Sequence, residues 1–417
     1  MRSLGWFLLV FVSAAQAEDW PQFRGPTGQG IATGSAPTEW GPKTNIAWKQ
    51  AIPGAGWSSP VVVKGKVYLT TSVLGGDKKS KTLSLRALAI DAASGKIVWN
   101  TEVFQPTAEA LTRIHSKNSH ASPTPIVDGD RLIVHFGHNG TAALDFDGKI
   151  LWKNDELFYS PVHGNGGTPV IVGPAIVFSA DGSADPFVAA LDRNTGKALW
   201  KTPRESKSRN KFAFSTPLAI DVQGKTQIVS PGPGLVAAYE PVQGKEIWRF
   251  NYGEGYSVVP RPVYGHGMVF LSSGYDEPKF YAIRVDGRGD VTKSHVAWTL
   301  RKGSPLTPSP ILKGDELYLI SDNGIATCVD AKTGSIHWQE RIGGAHSASP
   351  LLIDGKIYFL SEDGVGTVVK AEKTYELIAR NEMNEKTLAS YAVADGALYL
   401  RTEKNLYRIQ QAAGAKK

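Results

Sequence analysis

The sequence contains a single cysteine, Cys328, among its 417 residues. An intramolecular disulfide is therefore excluded, and so are metal sites built from paired cysteines. Because Cys328 follows Ile325-Ala326-Thr327 in a strand-like run, we interpret it as a small buried hydrophobic side chain. A chain without cross-links takes its stability from a hydrophobic core, and this chain is long enough to form one.

Long apolar runs and strong charge of one sign are also missing. Beyond the N-terminal segment, no stretch approaches the roughly 20 apolar residues that a membrane-spanning helix needs. The formal net charge of +7 at pH 7 is small for a chain of 417 residues. A balance this mild supports solubility more than nucleic-acid binding. We therefore expect neither a membrane span nor a nucleic-acid partner.

The N-terminal segment has the composition of a signal peptide. Arg2 precedes an apolar run at residues 4–12, and residues 15–17 (AQA) match an A-x-A cleavage site. We expect residues 1–17 to be removed near Ala17 on export to the periplasm or the extracellular space. A membrane anchor is the alternative, although the run is short for a bilayer and no cysteine follows it to carry a lipid.

What the sequence does contain is a repeat, and tryptophan marks its period. Seven copies of a strand-like segment carry a tryptophan at intervals of 40 to 53 residues, and Ala379 takes the same position in a degenerate eighth copy. A second phrase, an apolar run after a Ser-Pro or similar pair, recurs eight times between these marks. The tryptophans are Trp48, Trp99, Trp152, Trp200, Trp248, Trp298 and Trp338.

Each copy is predicted to form four antiparallel strands, named A to D. The apolar run forms the inner strand A, and a turn such as Lys64-Gly65 leads to strand B. A second turn, such as Asp322-Asn323-Gly324, leads to strand C, and a third leads to strand D with its tryptophan. Four strands per 40–50 residues, eight times over and without helical periodicity, predict an all-β, eight-bladed β-propeller of four-stranded antiparallel blades.

The strand count predicts how the propeller closes. After Ala379 the chain has strands A, B and C only, whereas a lone D-type strand at residues 45–50 precedes the first strand A. We predict that this N-terminal strand completes the last blade and so removes an open sheet edge. Seven blades followed by a tail are the alternative. The predicted domains are an N-terminal extension at residues 18–43, the propeller at 44–410 and a disordered tail at 411–417.

The repeated tryptophans are interpreted as structural docks. A large ring on the outer strand of a blade packs over the next blade and buries ~150–250 Å². An aromatic ligand site is the alternative reading of the same residues.

The repeats resemble a known family. The segments ALDRNTGKALW, CVDAKTGSIHW and AIDAASGKIVW resemble the repeat of pyrroloquinoline-quinone (PQQ) dehydrogenases and of bacterial outer-membrane assembly propellers. The phrase DWPQFRGPTGQG, with HGNGGTPV, GRGDVT and PLTPSP, resembles a narrower group of secreted propeller-repeat proteins known only by the repeat. The resemblance covers about residues 19–410 and implies the propeller fold. That fold carries many unrelated activities.

The channel mouth is the candidate functional site. The longest predicted connections, residues 102–119, 155–165 and 201–214, join strand D to the next strand A and share a face with the B-to-C turns. Long loops on a rigid scaffold commonly carry binding, and a polar and aromatic mouth suits a small polar ligand or a peptide. The alternative is that these side chains satisfy loop backbones. The candidates are His120, His163, Asn165, Asp181, Asp185, Tyr256, Tyr275, Asp276 and His346, with Trp57, His138, Phe214, Thr307 and Asp322 beside them.

A non-catalytic binding propeller is the favoured function. In the quinoprotein dehydrogenases that the repeats resemble, the quinone is held against a disulfide of adjacent cysteines and beside Ca²⁺. Cys328 alone cannot form such a disulfide. We therefore expect no cofactor, PQQ included. A metal site from His120, His163 and His346 would join three blades without short histidine spacing, so no metal is predicted.

The sequence also lacks a G-x-S-x-G elbow and a phosphate-binding glycine loop. A quinone-dependent or sugar-active enzyme that uses the channel mouth stays open as an alternative, as does a passive structural subunit. We expect a monomer that binds a protein partner or a small polar ligand on the long-loop face.

Overall fold

A computed structural model describes residues 19–76, 81–106 and 114–411 of the chain. These residues form eight antiparallel sheets, each built from four principal strands. The predicted eight-bladed, all-β propeller is therefore confirmed. The predicted signal peptide and residues 412–417 of the predicted tail lie outside the described residues. Within the described part of the chain, no helix has the length and apolarity needed to span a bilayer.

Seven blades use four consecutive strands each, in the order A-B-C-D from the channel outward. Blade 1 consists of strands Val61–Val63, Lys66–Gly76, Lys81–Asp91 and Ile97–Phe104. Blade 2 consists of Ile126–Asp128, Arg131–His135, Thr141–Asp145 and Ile150–Asn154. Blade 3 consists of Val170–Val172, Ala175–Ala180, Phe187–Asp192 and Ala198–Pro203. Blades 4 and 5 are Leu218–Val222, Lys225–Gly232, Leu235–Tyr239, Glu246–Asn251; and Val263–Gly265, Met268–Ser272, Phe280–Arg284, Val296–Leu300. Blades 6 and 7 are Ile311–Lys313, Glu316–Ile320, Ile325–Asp330, Ile336–Arg341; and Leu351–Ile353, Lys356–Leu360, Val365–Lys370, Leu377–Glu382.

Blade 8 joins the two ends of the chain. Its strands A, B and C are Ala392–Ala394, Ala397–Arg401 and Asn405–Ile409, and its strand D is the N-terminal Ile46–Ala51. Two short strands, Ile31–Ala32 and Gly289–Asp290, add in parallel to strand A of blade 7 and to strand D of blade 4. One 3-10 turn, Gly137–Asn139, lies in the B-to-C connection of blade 2.

Burial explains the composition of the strands. Strands B and C are nearly continuous apolar runs, because each blade is packed between two neighbours and both of its faces are buried. The outer strands alternate between half-buried and exposed residues, as Ile46–Ala51 does, because only one face meets the next blade. The core is accordingly divided into clusters between adjacent blades, and Cys328 is fully buried in the cluster between blades 6 and 7.

In several blades, the turn before the tryptophan strand is held by a short hydrogen-bonded motif. In blade 3, Asp192 Oδ1 accepts hydrogen bonds from the backbone N–H and the hydroxyl of Thr195, at 2.8 and 2.9 Å. Asp330 and Thr333 repeat this arrangement in blade 6. Side chains that bind the backbone a few residues on favour such turns, which explains the recurring D-x-x-T-G phrase.

The closing strand pairs with the last strand of the chain. Ile46–Ala51 runs antiparallel to Asn405–Ile409, with Trp48 opposite Arg408. This confirms the predicted closure of the last blade by the N-terminal strand.

The carboxylate of Glu385 reinforces this seam. It accepts hydrogen bonds from Lys49 Nζ at 2.7 Å and from Asn405 Nδ2 at 2.9 Å. Although burial raises the pKa of Glu385, the donors Lys49, Thr402, Tyr407 and Asn405 together lower it to about 2.

Six of the seven repeated tryptophans bond to the next blade around the ring. Their indole N–H groups donate to carbonyl oxygens in its C-to-D turn at 2.9–3.2 Å. A glycine of that turn permits the approach, since a Cβ on Gly196 would lie 2.4 Å from the Trp152 ring. Trp248 differs: it is fully buried and donates to Gln227 Oε1 of its own blade. The contribution of these rings to stability stays a prediction.

The N-terminal extension lies in the lower part of the channel, against the inner strands. Trp20 exchanges two backbone hydrogen bonds with Val62 of blade 1, and Gly30 accepts one from Leu352 of blade 7. Further hydrogen bonds connect residues 21–24 to blades 2, 5 and 6. Val127 N donates to Pro21 O, Arg261 Nη1 donates to Phe23 O, and Arg24 Nη2 donates to Pro310 O. We call residues 19–32 the plug, because they seal the end of the channel at the A-to-B turns.

The glycines of the RGPTGQG phrase make the plug possible. Gly28 has a φ of +68°, and a Cβ there would lie 2.4 Å from Arg261 Nη1. Gly30 has a φ of +80°, and a Cβ there would lie 2.6 Å from Arg24 Nη2. Both positions therefore need glycine for backbone conformation and for space.

Candidate functional site at the channel mouth

The channel above the plug forms a cavity of about 340 Å³. Phe23 of the plug lines its lower end, and residues of the D-to-A connections and B-to-C turns line its mouth. We call this cavity the cup, because it opens on the long-loop face and is sealed below. Its volume is at the lower end of the range for small-ligand sites.

The wall of the cup is a ring of hydroxyl groups. The residue two positions before strand A of each blade is serine or threonine in seven of the eight blades, and Arg261 takes this position in blade 5. All seven line the cavity. We call them the hydroxyl ring: Ser59, Thr124, Thr168, Thr216, Ser309, Ser349 and Ser390.

Hydrogen bonds between blades orient the hydroxyl ring. The backbone N–H at each ring position donates to the hydroxyl oxygen of the next blade, at 2.9–3.1 Å. The circle is interrupted at one place, between Thr216 and Arg261. Proline follows the ring residue in seven blades and holds it in an extended conformation. The repeated Ser-Pro and Thr-Pro pairs therefore build the wall of the cup.

Aromatic rings line one side of the mouth. They come from four successive D-to-A connections and from the B-to-C turn of blade 5, and neighbouring ring centroids lie 5.2–6.3 Å apart. Such a row offers apolar ring faces to a ligand. We call it the aromatic arc; its members are His115, His163, Phe212, Tyr256 and Tyr275.

Two carboxylates lie at the mouth in the B-to-C turns of blades 6 and 7. Asp322 accepts hydrogen bonds from the backbone N–H and the hydroxyl of Thr307, and burial raises its pKa. Glu362 accepts from Ser347 Oγ at 2.6 Å and from Lys117 Nζ at 2.7 Å. Burial raises the pKa of Glu362, but the donors Lys117 and Ser347 lower it by a larger amount. The net pKa is below its usual value, so the carboxylate is held ionised. Both carboxylates are thus occupied by protein donors.

The fold and its repeats match a known family. A family model described as outer membrane protein assembly factor BamB matches residues 42–184 and 184–417. The chain belongs to this family of PQQ-like propellers. The resemblance seen in the repeat segments is thereby confirmed.

Relatives of this PQQ-like chain include enzymes and an assembly factor. Quinohemoprotein alcohol dehydrogenase ADH IIB of Pseudomonas putida is 25% identical over 211 residues, which is 49% of this chain and 27% of the dehydrogenase. The match therefore spans about a quarter of that enzyme.

Solved structures show the same architecture. BamB from Moraxella catarrhalis superposes with a TM-score of 0.58 and 16% identity, over 86% of this chain and 95% of BamB. Quinohemoprotein alcohol dehydrogenase ADHIIG from Pseudomonas putida HK5 gives a TM-score of 0.61 and 11% identity, over 96% of this chain and 81% of the enzyme. At these identities the likeness establishes the fold alone.

The residues of the cup do not fit a quinone held as in the dehydrogenases of the PQQ-like family. That arrangement needs a disulfide of adjacent cysteines, whereas Cys328 is the only cysteine of the chain and lies fully buried between blades 6 and 7. In the described ranges, no group of three or more His, Cys, Asp or Glu side chains is placed to hold a metal ion. His120, His163 and His346 thus do not form such a group.

Three of the nine predicted site residues line the cup of this PQQ-like propeller: His163, Tyr256 and Tyr275. Asp276 is exposed beside the mouth and accepts a 3.3 Å hydrogen bond from the Tyr256 hydroxyl. Asp185 is exposed and His120 is half-buried, and neither belongs to the lining. Of the residues considered beside these nine, Trp57, Phe214 and Thr307 also line the cup.

The other three predicted residues are buried in the loop supports. Asn165 accepts a hydrogen bond from Tyr159 OH at 2.8 Å and contacts the buried His138. Asp181 contacts Arg204 Nε at 2.9 Å, and both side chains are fully buried. His346 is 1% exposed, and burial lowers its pKa to about 4. These three side chains are buried and lie outside the lining of the cup.

Sequence reasoning missed several residues of the cup. His115, Lys117 and Phe212 lie in the long connections, where no repeat marks them. The hydroxyl ring had a visible signal, since a Ser-Pro or Thr-Pro pair precedes strand A in six copies of the repeat.

Proposed function

We propose that this chain is an exported, non-catalytic binding propeller that captures a protein segment or a small polar ligand in the cup. The observation that carries the proposal is the cup itself, a cavity of about 340 Å³ sealed by the plug and bordered by the aromatic arc. The signal-peptide-like residues 1–17 support export. The BamB family description supports a role in binding proteins.

The chemistry of the mouth supports binding over catalysis. Asp322 is held by Thr307 and the backbone, and Glu362 is held by Lys117 and Ser347. Although burial raises the pKa of Glu362, the donors Lys117 and Ser347 favour its ionised form and lower the pKa overall, which makes this carboxylate a weaker base. The aromatic arc and the hydroxyl ring are recognition surfaces and carry no activated nucleophile.

The test compares an aromatic side chain of the cup with an aromatic side chain outside it. Phe212→Ala removes the centre of the aromatic arc, whereas Phe158→Ala removes a ring on the same face that is 60% exposed and outside the lining. Short peptides and small polar solutes are screened by thermal shift, and hits are measured by calorimetry. We expect Phe212→Ala to weaken binding at least tenfold, about 1.4 kcal/mol, and Phe158→Ala to leave it unchanged.

Equal effects of the two variants would place the binding surface outside the cup. A separate reconstitution with PQQ and Ca²⁺ is expected to give neither a tight complex nor dye reduction with alcohols or sugars. Stoichiometric quinone binding with turnover would refute the non-catalytic function.

A further inference from the structure

The hydroxyl ring presents hydrogen-bond donors to the cup. Each ring oxygen accepts a backbone N–H from the neighbouring blade, so its own proton is left to donate. Within the described ranges, six of these protons have no protein acceptor, and each of the six residues is at most 6% exposed. The six are Ser59, Thr124, Thr168, Thr216, Ser309 and Ser390.

Two buried arginines adjoin this ring, Arg261 at the ring position of blade 5 and Arg24 in the plug. Arg24 and Arg261 are 3% and 2% exposed, and neither has a carboxylate within 4.0 Å in the described part of the chain. Arg261 Nη1 donates to the carbonyl oxygen of Phe23, whose side chain lines the cup, so its charge lies directly under the floor. Arg24 Nη2 donates to the carbonyl oxygens of Gln29 and Pro310, whereas Arg24 Nε and Nη1 have no hydrogen-bond partner among the residues that the structure describes.

Buried charge without a counter-ion is costly, and among the described residues backbone carbonyl oxygens are the acceptors of these two guanidinium groups. Burial lowers the pKa of Arg24 to about 9, with repulsion from Arg261 as the second cause. Burial also lowers the pKa of Arg261 to about 9, which leaves both guanidinium groups charged at neutral pH. Hydroxyl donors thus line the cup, and the two buried positive charges lie behind its lining rather than in it.

We infer that the cup binds a carboxylate. The carboxylate oxygens accept hydrogen bonds from the hydroxyl ring, near Arg24 and Arg261. The group that carries the carboxylate packs on the aromatic arc. This inference rests on the proposed function, because it names the chemistry of the ligand for the same cup. Hydrogen bonds to a charged acceptor are roughly twice as strong as neutral ones, so a carboxylate uses this wall best.

Other ligand classes match the cup less well. A cation would meet donors and like charge at the floor. A neutral sugar presents donors as well as acceptors, and each ring oxygen has already used at least one of its two lone pairs for a backbone N–H, so the ring matches a pure acceptor better. Inorganic phosphate has the required oxygens and lacks an apolar part for Phe212 and Tyr256 to cover. A free aromatic carboxylic acid and the C-terminus of a polypeptide both fit, since they share one chemistry.

The deciding experiment pairs each acid with its amide on the unmodified mature chain. The probes are N-acetyl-phenylalanine and its amide, and a tetrapeptide that ends in phenylalanine with a free or an amidated C-terminus. Calorimetry is expected to show at least about tenfold tighter binding of the acids. Equal affinity of acid and amide, or no binding of either acid, would overturn the inference.

The same data identify the source of the carboxylate. Much tighter binding of the peptide acid than of N-acetyl-phenylalanine supports the inference with a polypeptide C-terminus as the ligand. Equal binding of the two acids, each tighter than its amide, supports it with a small carboxylic acid.

Variants of the hydroxyl ring provide the second readout. Thr168→Val with Thr216→Val removes two donors at nearly constant volume, whereas Thr168→Ser with Thr216→Ser keeps both hydroxyl groups. The valine pair is expected to reduce the preference for acid over amide severalfold, and the serine pair to retain it. Unchanged preference in a folded valine variant contradicts the inference; if that variant does not fold, the acid and amide comparison still decides.

Failure of this inference differs from failure of the proposed function. If acid and amide bind equally and both need Phe212, the cup binds ligands without reading a carboxylate. If neither depends on Phe212, the cup is not the binding site.

Discussion

The two ends of the channel are built on different principles. The sealed end is made by a plug of unique sequence, with backbone hydrogen bonds to the inner strands, buried Arg24, and glycines where no side chain has room. The open end is made by long D-to-A connections and by B-to-C turns, and the aromatic side chain of Tyr275, in one of these turns, is 38% exposed. Substitutions at the sealed end should therefore change stability, and those at the open end should change binding.

The largest expected effect comes from removing the sealed end. Deleting residues 18–50 from a chain that is expressed from residue 18 removes the plug and strand D of blade 8, and it should prevent stable folding or lower the melting temperature drastically. Deleting residues 18–32 keeps the closing strand but exposes the site of Trp20, which is 2% exposed. Emptying a buried tryptophan site costs about 3–5 kcal/mol. Calorimetric melting measures both effects, and two small, equal effects would refute the closure and the plug together.

A single methyl group at the sealed end should act next most strongly. Gly28→Ala places a Cβ 2.4 Å from Arg261 Nη1 at a φ of +68°. We expect a loss of about 2–3 kcal/mol, from strain and overpacking together. Gly34→Ala is the matched control, because Gly34 has a φ of +83° and nothing within 4 Å of an added Cβ. It should lose only about 1 kcal/mol, as measured by urea unfolding. Equal losses would mean that the contact with Arg261 is not tight.

Acid should weaken the seam that joins the plug-bearing end of the chain to blade 8. The pKa of Glu385 is lowered to about 2 from a usual value of 4.5. A carboxylate with a lowered pKa stabilises the fold above its unfolded-state pKa, and this contribution is lost as the pH falls from about 4.5 towards 2. The loss should amount to at most about 3 kcal/mol.

The measurement is the free energy of unfolding as a function of pH. Glu385→Gln should be less stable at neutral pH and should show a flatter profile between pH 4.5 and 2 than the unmodified chain. Identical slopes for the two proteins would show that Glu385 does not anchor the closing strand.

The smallest effect on stability is expected at the open end. Tyr275→Ala removes a side chain that is 38% exposed, so the free energy of unfolding should change by less than about 0.5 kcal/mol. Ligand affinity should fall severalfold, because one ring of the aromatic arc is lost. Chemical denaturation and calorimetry of binding check the two halves of this expectation. A large loss of stability with unchanged affinity would reverse the assignment of roles to the two ends.

The same contrast explains what sequence reasoning reached. The tryptophan period and the lone strand before the first copy predicted the blade number and the closure, because every blade repeats the same strand pattern and the same packing against its neighbour. The plug has no repeat, and its role follows from distant partners such as Leu352 and Arg261. His346 and Asp181 were predicted at the mouth, but their loops fold inward and bury them.

Trp248 shows a finer limit of the repeat. Its sequence context matches the other six tryptophans, yet its indole donates to Gln227 within blade 4. The cause lies in the next blade, where Gly289–Asp290 pairs with strand D of blade 4 and the C-to-D connection is longer. The local sequence motif thus predicts the position of the tryptophan but does not specify the hydrogen-bond acceptor of its indole N–H.

The pairing of the two chain ends has a consequence for biogenesis. Trp48 is paired with Arg408, about 360 residues away, so one of the first strands to emerge completes the last sheet to form. Contacts of such sequence separation form slowly, because loop closure precedes any stabilisation. Until synthesis ends, both this strand and the incomplete blade expose unpaired backbone edges, which are prone to association with other chains. A chaperone that shields strand edges could therefore bind these two edges only before the C-terminal strands are available.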